Sequence, residues 1–235
     1  MQQYFVNTII HEDWVTLNDE QTHHIVRVLK MKKGQKVRIV DPSETLYIGE
    51  IEPQSPVVVT NLVKTESKSE LPIKITLIAG LIKKEKWDFV LQKACELGVY
   101  QIVGLQSERS VVKLDSKIDK KLLRFNKICE EACEQCRRVH KVECVDVISF
   151  KQLKYYRSEL NVIAYEDIDS ITQSLNDLPK VTSITVVIGP EGGFSEAEIN
   201  LAKEFGYTPI KLGNRILRAE TASLVAINTI ANKYE

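Results

Sequence analysis

Two short segments concentrate the residue types that can do chemistry. Gly189-Pro190-Glu191-Gly192-Gly193-Phe194 sets three glycines around a carboxylate, and Leu212-Gly213-Asn214-Arg215-Ile216-Leu217-Arg218-Ala219-Glu220-Thr221-Ala222 gathers two arginines, a glutamate and a threonine ahead of an apolar run. Glycines at that density allow a backbone to approach a ligand closely. A phosphate cradle has a similar look, but the Lys-Ser/Thr pair of a P-loop is missing. Glu191 also places negative charge where phosphate oxygens would lie, which argues against a nucleoside triphosphate. The spacing departs from the G-x-G-x-x-G dinucleotide pattern as well. An acidic, glycine-lined loop instead accepts ligand hydroxyls, amines or a cationic centre. Arg215 and Arg218 can hold a carboxylate or an RNA phosphate through paired hydrogen bonds. Two plainer readings stand beside these: a tight strand-to-helix turn for the first loop, and helix-start pairing with Glu220 for the second.

These loops need elements to hold them. The first closes an apolar strand, ITVVIG, and opens a helix whose start is marked by Ser195 and Glu198, a capping-box pair. Upstream, IKITLIAG, QIVGL and NVIAYE read as buried strands. Between them lie amphipathic helices: one with Trp87, Val90, Leu91, Ala94 and Leu97 on one face, stopped by Gly98, and one from about Asp119 to Arg138 with Phe125, Ile128, Cys129, Ala132 and Cys136 inward. This alternation predicts an α/β domain with a mostly parallel sheet, whose ligands bind beyond the carboxyl ends of the strands. The polar stretch from Lys64 to Pro72 reads as a boundary, giving domains 1–70 and 73–235. The first is β-rich, with YFVNTII, KVRIV, TLYIGEI and VVVTNLV as strands and Asp41-Pro42-Ser43 as a turn, which predicts a small barrel. His23 to Lys30 reads as a short helix or turn. From there Arg27, Lys30, Lys32, Lys33, Lys36 and Arg38 run without one acid, either as a solvated face or as an RNA-binding surface beside the barrel.

Composition narrows the class. The 235 residues carry 32 basic and 32 acidic side chains, so no global field steers the molecule toward nucleic acid, and any such site is local. With 43% hydrophobic residues, 10 glycines and 7 prolines the chain is neither disordered nor collagen-like. No apolar run is long enough to cross a bilayer and the N-terminus lacks a secretion signal, which predicts a cytoplasmic protein with no membrane contact. The five cysteines are then reduced. Cys129, Cys133 and Cys136 recur at helical spacing; a metal site would recruit His140 and Cys144, but thiols along one helix face read as core packing, so no metal is predicted.

GPEGGFSEAE and LGNRILRAETA closely resemble the two signature segments of the ribosomal RNA small-subunit methyltransferase E family, of the SPOUT superfamily. The N-terminal YF, HHIVRVLK, KKEKWDFVLQKACELGV, SERSVVKL and KICEEACEQCRR resemble further segments of that family in their expected order. The resemblance implies a PUA-like RNA-binding barrel followed by an α/β methyltransferase domain with a C-terminal trefoil knot, a feature that physical rules alone predict against. It implies S-adenosyl-L-methionine as cofactor, a homodimer whose active site is completed across the interface, and methylation of N3 of a uridine in 16S ribosomal RNA of the small subunit, a step of ribosome biogenesis. Carried over by resemblance, the cofactor residues are Ala164, Tyr165, Glu166, Gly189, Glu191, Gly192, Gly193, Leu212, Gly213, Ile216 and Leu217. A side chain at Gly192 is expected to fill the ligand's space. Uridine N3 must lose its proton, which calls for a base or a stabilising cation, and Glu220 and Arg218 are the catalytic candidates. Ser107, Glu108, Arg109 and Arg138 fall in segments matched to an RNA-facing cleft. Two positions depart from the family: Gln3 stands where Arg is common, and Arg137 to Lys141 replaces a run through Gly and Arg toward Pro. The competing readings are a non-catalytic RNA-binding or ribosome-assembly protein, and a knot methyltransferase acting on another RNA nucleotide.

Overall fold

The computed structural model describes residues 1–112, 118–166 and 173–235; Lys113 and Leu114 of the SERSVVKL segment lie outside them. The chain forms two compact units, Met1–Glu70 with Cys133–Lys141, and Leu71–Ala132 with Val142–Glu235. In the first, β1 (Gln3–Phe5), β2 (Val15–Thr16), β3 (Lys36–Val40), β4 (Leu46–Glu52) and β5 (Val58–Thr65) make one sheet in the order β1-β3-β4-β5-β2. β1 runs parallel to β3 and the other pairs are antiparallel. A helix, α1 (Asp19–His23), capped by Asn18 and continued by a π-helical turn over His24–Val28, covers the sheet's core through Ile25. Tyr4, Leu17, Val37, Ile39, Ile51 and Val59 complete that core.

The register slips between Ile48 and Glu50. Gly49 sits in that bulge, where a β-carbon would stand 2.6 Å from Val59 Cγ1. Bulges of this kind sharpen the local twist and curl a sheet. The expected barrel is thus a curled five-stranded sheet in which β1 and β2 are edges. Of YFVNTII only the first residues are strand; Asn7 to Ile9 are exposed. The two-residue β2 is too short to show a period and has no sequence signal.

Buried polar groups tie the first unit together. Gln3, 1% exposed, donates from Nε2 to the Arg138 carbonyl at 2.6 Å and accepts from Arg38 Nε at 2.9 Å. The Arg138 guanidinium contacts Glu70 through Nη2 at 2.6 Å and Nε at 3.1 Å. Glu70 also accepts from the amides of Val139 and His140. Burial opposes ionisation of Glu70, yet Arg138, the His140 amide and the Ser69 hydroxyl hold its carboxyl below the usual carboxylate range. The Asp41 carboxylate fixes the predicted turn by accepting from the amides of Ser43 and Thr45 and the Ser43 hydroxyl, and its other oxygen accepts from the Ile10 amide.

The second unit alternates β6 (Lys74–Gly80), α2 (Lys84–Glu96), β7 (Gln101–Gln106), α3 (Ile118–Cys136), β8 (Glu143–Ser149), β9 (Leu160–Ala164), β10 (Ser183–Ile188), α4 (Glu196–Glu204), β11 (Thr208–Ile210) and α5 (Ala219–Ala231). The last turn of α3 belongs to the first unit. All six strands pair in parallel, in the order β11-β9-β10-β6-β7-β8. Six of the seven residues of β6 and five of the six in β10 are buried, as a sheet covered on both faces requires. α2 buries Trp87, Val90, Leu91 and Ala94 and stops at Gly98, whose φ of +89° is the left-handed turn that glycine favours. Along α3, Phe125, Cys129, Ala132 and Cys133 are buried, while Ile128 and Cys136 are only half-buried. Among the described residues, no His/Cys/Asp/Glu group is placed to hold a metal ion, although Cys133 and Cys136 stand in Cys-x-x-Cys spacing. Among the same residues, no helix is long and apolar enough to cross a membrane.

Candidate cofactor and active site

β10 delivers the chain to its carboxyl end at Ile188, and the next six residues turn back under tight constraint. The Gly193 amide donates to the Pro190 carbonyl at 2.9 Å. Phe194 is buried edge-on against Phe150, with ring centroids 5.6 Å apart. Ser195 caps α4, and both bonds of the predicted capping box form. Glu198 does more than the box demands: one carboxylate oxygen accepts from the Ser195 amide at 3.0 Å and the other from the Glu108 amide at 2.8 Å. Arg109 then donates from Nη1 to the Gly192 carbonyl at 3.1 Å. The loop after β7 therefore braces the glycine loop from outside. A β-carbon on Gly192 would stand 2.9 Å from Arg109 Cβ, so a side chain there displaces this brace; the sequence-based expectation had it filling ligand space. At Gly193, with φ +64°, a β-carbon would stand 2.6 Å from the Glu166 carboxyl carbon.

Between this loop and the one after β11 lies a cavity of about 480 Å³. Its wall includes every residue assigned to the cofactor from sequence: Ala164, Tyr165 and Glu166 after β9; Gly189, Glu191, Gly192 and Gly193 after β10; and Leu212, Gly213, Ile216 and Leu217 ahead of α5. Arg215 and Arg218 line it too, with Ile188, Pro190, Lys211, Ala219 and Ala222. Arg218 is the N-cap of α5, and its carbonyl accepts from the Ala222 amide at 2.8 Å. Three loops at the carboxyl ends of neighbouring parallel strands thus converge on one space, where open parallel sheets bind ligands. Sequence reading missed Lys86, which reaches the wall from the first turn of α2. Its only local signal was a basic stretch shared with Lys83 and Lys84.

Residues 69–231 match the model of the RNA methyltransferase domain family, and residues 17–56 that of the RNA methyltransferase PUA domain. The chain is 36% identical, over all of its length and 98% of the relative's, to ribosomal RNA small subunit methyltransferase E of Bacillus subtilis. The chain belongs to this methyltransferase E family. To the methyltransferase E of Buchnera aphidicola subsp. Schizaphis graminum it is 34% identical over 94% of this chain and 91% of that one. The crystal structure of the methyltransferase E of Neisseria gonorrhoeae, bound to S-adenosyl methionine, superposes with a TM-score of 0.90 over 100% of this chain and 98% of that one, at 27% identity.

In this methyltransferase E chain the two residues selected as catalytic from sequence part company. Arg218 is on the cavity wall, whereas Glu220 is not among the lining residues; its carboxylate oxygens lie 3.0 and 3.3 Å from Lys86 Nζ. Burial opposes ionisation of Glu220, but its own backbone amide, Lys86 and Arg218 together hold its carboxyl below the ordinary range. Such a carboxylate is a weak base. The selected RNA-binding residues divide as well. Arg27, Lys30, Lys32, Lys33 and Lys36 are all exposed on the first unit, with Lys33 3.0 Å from Glu52. Arg109 is exposed and braces Gly192. Arg138 is 4% exposed and its guanidinium is committed to Glu70, so it holds the first unit together and presents no charge to solvent.

Proposed function

We propose that this chain methylates N3 of a uridine in 16S ribosomal RNA of the small subunit, using S-adenosyl-L-methionine, in the cytoplasm and as a homodimer whose second copy completes the active site. The observation that carries this reading is the convergence of the β9, β10 and β11 loops on a cavity of about 480 Å³, within the range of small-molecule sites, in a chain of the methyltransferase E family. Reading the segment from β9 to α5 as a trefoil knot accounts for three sequential loops meeting there.

The residues present fit the cofactor. Gly189, Gly192, Gly193 and Gly213 put backbone into the wall, with open space beside Gly213, and Ala164, Ile188, Leu212 and Leu217 add apolar surface for an adenine. The carboxylates of Glu166 and Glu191 suit hydroxyls and an amine, and Lys211 or Arg215 suits a carboxylate. When bound, S-adenosyl-L-methionine supplies a methyl group on a positively charged sulfur. The transfer is an in-line displacement, so the protein's work is positioning and charge stabilisation and needs no nucleophilic side chain. Arg218 opens α5 at the wall, and in this reading its guanidinium orients the incoming base or its phosphate. The exposed cations Arg27, Lys30, Lys32, Lys33 and Lys36 bind the RNA backbone on the first unit.

The test is incubation of the full chain with labelled S-adenosyl-L-methionine and small subunits lacking the modification, followed by nucleoside mass spectrometry. N3-methyluridine is the expected product. No methylated nucleoside beside an active control enzyme returns the chain to the RNA-binding reading, and another methylated nucleoside moves the target.

A further inference from the structure

We propose that Lys86 is the catalytic cation that stabilises the uridine as its N3 anion, and that Glu220 is the positioning residue that fixes it; this rests on the methyl-transfer reading above. Lys86 lines the cavity and Glu220 does not. The lysine comes from α2 and the glutamate from the first turn of α5, so the pair joins two helices at the cavity wall. Lys86 is about one-third exposed at its side chain, and Glu220, at 15%, backs it from the protein side. A free lysine samples many rotamers at an entropic cost that each productive encounter must overcome. Two carboxylate oxygens at 3.0 and 3.3 Å remove most of that freedom beforehand.

The surroundings favour an anion at this wall. Lys86 lies in the first turn of α2, while Arg218 and Ala219 open α5, and helix starts carry partial positive charge. The charged residues on the wall are Lys86, Arg218, Lys211 and Arg215, with Glu166 and Glu191 on the loops after β9 and β10. Negative charge that develops on uridine therefore meets Lys86 and Arg218 at the two helix starts, with the Glu220 carboxylate behind Lys86 and off the wall, while Glu166 and Glu191 stand on the loops after β9 and β10.

The chemistry balances without a protein base. The N3 proton leaves to water and the charge spreads over N3, O2 and O4 of the ring. The N3 lone pair then forms the bond to the methyl carbon as the carbon–sulfur bond breaks with its electrons on sulfur. Lys86 takes no part in the proton transfer and acts by charge and hydrogen bonding. Glu220 is held as a carboxylate by the same contact, which suits a residue that positions and does not accept a proton.

The experiment is single-turnover methylation of unmodified small subunits by the full chain at saturating S-adenosyl-L-methionine, from neutral to alkaline pH, with cofactor affinity measured separately by calorimetry. Lys86→Met is expected to slow transfer about 100-fold at neutral pH, the size expected for losing one preorganised stabilising donor. The deficit should shrink as pH rises, because solvent then ionises more of the uridine. Lys86→Arg should recover part of the rate, and Glu220→Gln should lose about 10-fold with the wild-type pH profile, since the cation stays but is less well held. Wild-type rate in Lys86→Met, or a loss equal at every pH and not relieved by arginine, overturns the proposal. An inactive wild-type chain would instead overturn the methyl-transfer reading beneath it.

Discussion

Replacing Arg138 by methionine separates a structural role from an RNA-binding one. The substitution keeps the apolar stem and deletes the guanidinium, leaving Glu70 with only the amides of Val139 and His140 and the Ser69 hydroxyl. Removing one partner of a buried ion pair costs about 3–5 kcal/mol, and the 27% exposure of the Glu70 side chain places this case near about 3 kcal/mol. That is about a hundredfold in the folding equilibrium of the first unit. Gln3 keeps its bond to the Arg138 carbonyl, so the loss is confined to the ion pair. Hydrogen exchange of peptides covering Gln3–Phe5 and Lys36–Val40 reports this unit by itself, and the slowest amides there should lose about two decades of protection. Glu70→Gln leaves the more deeply buried guanidinium without its counter-charge and should cost at least as much, and combined with Arg138→Met should add little further. RNA affinity of the folded variant, and its dependence on salt, should match wild type. Unchanged protection together with a shallower salt slope would refute the assignment and return Arg138 to the RNA surface.

Gly193→Ala is expected to weaken S-adenosyl-L-methionine binding at least tenfold by calorimetry: the new methyl both strains a φ of +64° and drives the Glu166 carboxylate away from the wall. Replacing Lys32, Lys33 and Lys36 together by alanine should lower the slope of log affinity against log salt by about 0.7–0.9 for each phosphate no longer neutralised, with cofactor affinity intact; an unchanged slope assigns those lysines to a solvated face. Burial opposes ionisation of Asp41, but the Ser43 hydroxyl and three amides hold its carboxyl below the usual range. Its stabilising contribution is thus full above the unfolded value of about 3.9 and is lost as pH falls through the lower folded value. Asp41→Asn should therefore lower the urea midpoint at neutral pH and narrow the gap to wild type in strong acid.

What the sequence reveals here is local chemistry. The glycine loop, its capping box and the buried runs of β6 and β10 are each written in adjacent residues, so the cavity's loop-borne wall is legible before any fold is known. Lys86 is not, because it reaches the wall through the packing of α2 against α5 and its neighbours Lys83 and Lys84 make it look like an ordinary solvated stretch. Arg138 misleads for the opposite reason: it follows a helix rich in charge, and only Glu70, far away in the chain, explains why it is buried. The helical period runs unbroken to Cys136, so nothing in it tells that Cys133–Lys141 packs with the first unit. Gln3, an anomaly when compared with arginine, is intelligible once its amide is seen bridging Arg38 and the Arg138 carbonyl.

The two bonds of Glu198 narrow what evolution or design can place there. A capping box accepts glutamine as readily as glutamate, because one side-chain oxygen suffices. Here two oxygens receive two separate amides, from Ser195 and from Glu108. A glutamine has one acceptor oxygen and would turn an NH₂ group toward the other amide, donor against donor. A position that looks interchangeable by helix grammar is thus fixed by stoichiometry, and a side chain outside the cavity holds both the loop that forms its wall and the loop that braces it.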